Sequence, residues 1–270
     1  MSAYTQANRP IAVSTPLGPD TLLLISVAGE EALSALFRFE LEMLALARVS
    51  VPFDQVLGQS VTVTLELPDG STRPINGIVS SFCQAEVVAG AQGRPTFIRY
   101  HAELVPRLWL LTKNFQSRIF QHMSIPDILK QVLADLDVSF QIQGTFQPRE
   151  YCVQYRESDF QFASRLMEEE GIYYYFQHTA SGHTMVVANT PGSHADVPGP
   201  TPITFETVAG GTRHEARITA WLDFNSTNTS PCRNMTYVVF PDRRKSLATK
   251  NLRRLVPRIG RNSLLGNRLR

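Results

Sequence analysis

The chain has 270 residues, 43% of them hydrophobic and 19% charged. A globular chain of that length buries roughly 75% of its unfolded surface and needs no disulfide scaffold. Its 26 basic and 24 acidic residues leave a formal charge of +2, which taken at face value argues against a dedicated nucleic-acid binder. No apolar run reaches the ~18 residues of a membrane span. The opening Met1-Ser2-Ala3-Tyr4 lacks the basic start and apolar stretch of a secretory signal. Cys83, Cys152 and Cys232 are odd in number and widely spaced, which fits synthesis in a reducing compartment.

Residues 1–19 carry Pro10, Pro16 and Pro19 with no sustained apolar period and read as a loose lead-in. From Thr21 the period is two. Phe37, Phe39, Leu41 and Met43 alternate with Arg38, Glu40 and Glu42, and Val61, Val63, Leu65 and Leu67 alternate with Thr62, Thr64 and Glu66. Such alternation predicts strands with one buried and one wet face. Pro68-Asp69-Gly70-Ser71 supplies hairpin chemistry, and the chain returns through residues 75–83. A further strand over 97–104 points Ile98, Tyr100, Ala102 and Leu104 one way, with Gly90-Ala91-Gln92-Gly93 as the turn before it. Five or six short strands without helical crossovers predict a barrel or sandwich.

The pattern changes at Ser124. Ile125, Ile128, Leu129, Val132, Leu133 and Leu136 form one helical stripe, with Ser124 as cap, Pro126 in the first turn and Asp127 at the positive end of the dipole. A second helix begins after Ser158, where Ser158-Asp159-Phe160-Gln161 is a capping box. Phe162, Leu166 and Met167 make its stripe and Gly171 ends it. Ile172-Tyr173-Tyr174-Tyr175-Phe176 then reads as an aromatic strand, with Tyr174 on the core face, Tyr173 and Tyr175 opposite, and residues 185–188 as its hairpin partner. Residues 203–207 and 215–221 read as two more strands, and 237–240 as another candidate. The overall charge averages two unlike parts. Residues 1–232 hold 15 Lys and Arg against 23 Asp and Glu, a balance of −8, whereas residues 233–270 hold 11 against Asp242 alone, a balance of +10. Binding of nucleic acid is therefore excluded for the acidic body and left open for the basic tail.

The residues offer no catalytic constellation. Gly-x-Ser-x-Gly, Gly-x-x-x-x-Gly-Lys and His-Glu-x-x-His are absent, and neither the six histidines nor the three cysteines fall at metal-ligand spacing. His178, His183 and His194 sit in turn-like sequence and read as solvated loop residues. Glu168-Glu169-Glu170 points around a helix end rather than converging as acid–base carboxylates. Asp159 and Glu157 flank the capping Ser158, where negative charge stabilises a helix start. The cysteines read as small buried or half-buried hydrophobes. Catalytic, metal and cofactor sites are expected to be none.

From Tyr155 through Phe176 the sequence resembles the signature of the VgrG family, the spike proteins of the bacterial type VI secretion system; Ser158, Asp159, Phe162, Arg165, Leu166, Glu170, Gly171 and Tyr174 carry it. Tyr100-His101-Ala102, Leu108-Trp109-Leu110-Leu111 and Phe115-Gln116-Ser117-Arg118-Ile119-Phe120 match upstream, so the resemblance spans about residues 20–221. It implies a mainly β fold of two related β-barrels of the contractile-phage tail hub type with inserted helices. The implied layout is a lead-in over 1–19, a first barrel over 20–112, and a helical insertion over 113–146. A second barrel region with one helix, or else the completion of the first barrel, follows over 147–221, then a divergent basic tail over 222–270. The implied role is structural and non-enzymatic: the base of a puncturing spike, a homotrimer docked on the Hcp tube beside other spike, baseplate or effector components. Such a protein is cytoplasmic before firing and exported without a signal peptide. Tyr173 and Tyr175 are its candidate interface residues, as surplus exposed aromatics. Family members continue into a needle, which this sequence lacks, and the match fades after Trp221; a truncated, frameshifted or divergent end is the reading. The alternatives are the hub of a prophage contractile tail and, through residues 233–270, a nucleic-acid adaptor.

Overall fold

The computed structural model describes residues 4–67, 70–89 and 95–193, together with the backbone of four two-residue strands beyond them. The unit comprising residues 1–198 opens with six antiparallel strands. They are β1 (Ile11–Ser14), β2 (Leu23–Glu30), β3 (Arg38–Leu46), β4 (Ser60–Glu66), β5 (Thr72–Val88) and β6 (Phe97–Val105), ordered β1-β4-β5-β6-β3-β2. The period-two alternation drives the sheet to curl around one core: Phe39, Leu41 and Met43 of β3 and Tyr100, Ala102 and Leu104 of β6 point inward, while Arg38 and Glu40 stay wet. Gly77 lets β5 approach β6, since a Cβ there would sit 2.7 Å from the Val105 carbonyl oxygen. In the 67–71 turn the Leu67 N–H donates to the Ser71 carbonyl, and Gly70 takes a φ of +82°. Its Pro68 and Asp69, like residues 90–94, lie outside the described residues.

Two expectations need correction here. The lead-in is not loose: Ile11–Ser14 pairs with β4, and the buried side chain of Gln6 stitches β1 to β2. Gln6 Oε1 accepts from the N–H of Val13 (2.9 Å) and of Leu24 (3.0 Å), and its Nε2 donates to the Val13 carbonyl (3.0 Å). β1 and β2 are the two edges of the sheet, so one carboxamide supplies hydrogen bonds that a continuous ladder would have made. The stretch expected as helical insertion also holds more strand than helix. It holds β7 (Phe115–Met123), one helix, α1 (Ile125–Val132), and β8 (Val138–Gln141).

β7 pairs antiparallel with β9 (Arg149–Ser158), which runs straight into α2 (Asp159–Glu169). β10 (Tyr173–His178) and β11 (His183–Ala188) form a hairpin, and β8 adds to β11 in parallel. A second core gathers Phe120, Ile125, Ile128, Leu129, Phe162, Leu166, Tyr174 and Val187. Both helices follow their sequence signals. Ser124 Oγ caps α1 at the Asp127 N–H, and Ser158 and Gln161 exchange the two bonds of a capping box. Beyond residue 198, Thr204–Phe205 pairs parallel with Arg217–Ile218, and Trp221–Leu222 pairs antiparallel with Met235–Thr236. The expected strand at 237–240, His194, His214, Cys232 and the basic tail lie outside the described residues.

Replacing Gln6 by Ala removes three hydrogen bonds and strands buried backbone groups on both edge strands. Gln6→Ala is expected to lower the unfolding free energy by about 2–4 kcal/mol. Urea unfolding checks this: the midpoint falls while the slope is unchanged.

Candidate functional site

The signature residues build a rigid corner between β9, α2 and β10. Asp159, 3% exposed, accepts from Arg118 Nη2 (2.5 Å), Asn114 Nδ2 (2.5 Å) and Gln154 Nε2 (2.8 Å), and its own N–H donates to the Asn114 carbonyl (2.9 Å). It therefore ties α2 to the start of β7 as well as occupying the first helical turn. Arg165 reaches back along β9 to Glu157 Oε1 (2.7 Å) and the Val153 carbonyl (3.2 Å), bonds Glu169 one turn on, and lies over the Phe162 ring. Phe162 and Leu166 are fully buried, with Phe162 stacked on Phe120 at 5.6 Å. Glu169 and Glu170 both receive Arg149 at 2.7 Å, while Glu168 and Glu169 stay exposed, so the acidic helix end is solvated as expected and ion-paired as well. Arg149 leads the forces that hold the Glu169 carboxyl below its ordinary range. Gly171 adopts φ +66°, which lets the Ile172 N–H turn back to the Met167 carbonyl (2.8 Å). Tyr174 is 1% exposed, and burial pushes its phenol well up.

Tyr173 and Tyr175 are half-buried rather than exposed. Their hydroxyls donate to the carbonyls of Thr190 (2.6 Å) and Ser193 (2.9 Å), because the chain after β11 folds across them. The most exposed aromatics among the described residues lie elsewhere, at Phe115 of β7 and at Tyr151 and Tyr155 of β9. Cys152 is buried as expected, but Cys83 is exposed, because β5 runs past the core before reaching it.

The histidines overturn their solvated reading most clearly. His178 and His183 face each other across the 178–183 turn, with ring centroids 6.0 Å apart, beneath which lies Asn76 of β5. Asn76 is 2% exposed; its N–H donates to His178 Nδ1 (3.1 Å), and its Nδ2 donates to Ser60 Oγ (3.0 Å) and Thr62 Oγ1 (2.8 Å). Thr62 Oγ1 in turn donates to the Ala180 carbonyl (3.1 Å). The Arg107 N–H donates to His183 Nε2 (3.0 Å), so the ring proton sits on Nδ1 and bonds Asn76 Oδ1 (2.9 Å). His178 Nε2 donates to Glu31 (2.8 Å), which also receives Arg73. Burial raises the Glu31 carboxyl, but His178 and Arg73 together hold it below its ordinary value. Burial leads in pushing His183 down to about 4, and the charge of Arg107 adds to it.

Among the described residues, no three His, Cys, Asp or Glu side chains gather as metal ligands. A groove of about 410 Å³ is lined by Ser124, Pro126, Lys130, Phe140, Ile142 and Phe146, without a carboxylate or imidazole. Asp159, Arg118, Asn114 and Gln154 at this corner, and Asn76, Ser60, Thr62 and His183 at the seam, bond one another. Their chemistry is that of a scaffold held in register, on a mainly β body with a helical corner.

Comparison with known proteins defines that class. The phage tail baseplate hub family matches residues 30–233, and the chain belongs to it, on its VgrG-like side. The type VI secretion system spike protein VgrG1c of Pseudomonas aeruginosa is 40% identical over 221 residues, 81% of this chain and 30% of its own length. The actin cross-linking toxin VgrG1 of Vibrio cholerae is 32% identical over 206 residues, 72% of this chain and 18% of its own. The chain thus spans less than a third of either relative. In structure, the E. coli protein c3393, a type VI secretion component similar to the T4 tail proteins gp27 and gp5, matches 68% of this chain and 50% of its own. The TM-score is 0.58 and the identity 23%, which establishes the fold.

Two measurements test these contacts. Asp159→Ala leaves Arg118 without its carboxylate and is expected to cost about 2–4 kcal/mol, with Asp159→Asn costing less; chemical unfolding reads both. For His183, a folded pKa of about 4 lies below the ordinary 6.5, so the unfolded chain binds the extra proton. The contribution is complete above pH 6.5 and lost as pH falls toward 4, and Glu31, whose folded pKa is also lowered, adds further loss below 4.5. After discounting for solvent access the His183 share is about 1–2 kcal/mol. His183→Gln is expected to flatten unfolding stability between pH 6.5 and 4.

Proposed function

We propose that this chain forms the base of a type VI secretion spike, a homotrimeric ring that docks on the Hcp tube and takes part in delivering effectors when the sheath contracts. The reading is carried by the 40% identity to a spike protein across 81% of the chain. A mechanical role asks for resistance to deformation rather than turnover, and the Asp159 and Asn76 networks are suited to it. Each fixes several elements at once through buried, satisfied polar groups. Tyr173 and Tyr175 are kept as candidate contact residues, through half-buried rings. In the same reading the protein is cytoplasmic before firing and leaves with the apparatus, and it works as a scaffold without catalysis.

The test is solution mass combined with tube binding. Light scattering of the full chain is expected to give three times the 30.2 kDa protomer at high concentration, and the ring is expected to bind purified Hcp rings. A monomer at every concentration that also fails to bind Hcp overturns the proposal.

A further inference from the structure

His178 and His183 face each other across one turn but meet an added proton differently. His183 Nε2 accepts from the Arg107 N–H (3.0 Å), and its Nδ1–H donates to Asn76 Oδ1 (2.9 Å), so the closed seam holds this ring neutral. A second proton on His183 would set its Nε2–H against the Arg107 N–H, donor against donor. His178 has an alternative. Its Nε2 donates to Glu31 (2.8 Å), and its Nδ1 lies 3.1 Å from the Asn76 nitrogen and 3.0 Å from the Asn76 carbonyl oxygen. A protonated His178 therefore turns from accepting the Asn76 N–H to donating to the Asn76 carbonyl, with the Glu31 anion facing its charge. One ring keeps its partners when it is charged and the other loses one.

The surroundings reinforce the difference. His183 is faced by His178 of β10, by Arg107 at the start of the short helix Arg107–Thr112 and by Asp137 ahead of β8, with the Phe37 and Phe176 rings packed on it. Burial and Arg107 disfavour an imidazolium there, and Asp137 alone favours one. Around His178 stand Glu31 and its partner Arg73 of β5. A cavity of about 10 Å³, room for one water, touches Arg107, Asp137, Phe176 and His183, so solvent has a foothold beside the ring. This joint lies between two apolar cores, each closed by its own strands. We propose that His183 is an acid-operated latch. At neutral pH it fastens the β10–β11 hairpin to Asn76 of the first sheet and to the Arg107 backbone; its protonation unfastens that joint while both cores stay folded.

Amide hydrogen exchange of the full chain tests the latch, read as protection factors between pH 7 and 4.5. The closed joint holds His183 at about 4 against the ordinary 6.5, so the open joint binds the extra proton and acid favours it. Protection of the Arg107 and Asn76 amides is expected to fall by at least about tenfold over that range. At every pH it is expected to stay below that of amides in β3 and α2, because the joint opens without the cores. His183→Gln, whose carboxamide accepts and donates as the neutral ring does, is expected to make the protection of both amides independent of pH, whereas His178→Gln keeps the fall. Melting serves as the folding control for both. The wild-type chain gives a reading that needs no variant: imidazole nitrogen shifts are expected to show His183 still neutral, with its proton on Nδ1, at pH 6. The latch is overturned if protection at Arg107 and Asn76 ignores pH, if it falls equally in His183→Gln, if it matches that of β3 and α2, or if His183 is charged at pH 6.

Discussion

Asn76 is the residue on which the alignment of the two halves of the 1–198 unit depends. The first core and the second are separate clusters, and among the described residues Phe176 is the ring that packs against both. Apolar contact of that kind is non-directional and tolerates sliding. Asn76 does not: every polar group of its side chain is committed, to Ser60 and Thr62 on its own sheet and to His183 on the hairpin, and its N–H goes to His178. Moving the β10–β11 hairpin by one residue would break these bonds together and leave buried polar groups without partners. The seam thus gives orientation where the cores give adhesion. Gln6 does the same at the other side of the first sheet, holding its two edges in a fixed offset.

Elements whose cause lies within a turn of their own sequence were legible from it. The alternation at 37–46 shows within its own strand, and the cap at Ser124 and the box at Ser158 join partners three residues apart; the structure realises all three. The VgrG-like signature was legible for the same reason, since its cap, stripe and aromatic strand are contiguous. What escaped depends on distant partners. The histidines looked solvated because their turn is polar, and Asn76, which buries them, is more than a hundred residues earlier. Asp159 read as a helix-start charge because Arg118, its ion-pair partner, sits 41 residues upstream on another strand. β1 was lost among prolines because the bonds of Gln6, at separations of 7 and 18, leave no periodic trace.

β7 and β9 escaped for a different reason, and that reason bears on function. A strand half-buried in its own domain shows period two because one face meets water. In β7 the apolar residues Phe115, Ile119, Phe120 and Met123 fall on both faces, and in β9 the outward Tyr151, Val153 and Tyr155 are more apolar than the inward Cys152 and Gln154. Hydrophobic pattern therefore assigns these strands to no single inside. Such a pattern is what a strand carries when its second face is also meant to be covered. Its inner face can then afford Arg118 and Gln154, because Asp159 satisfies both.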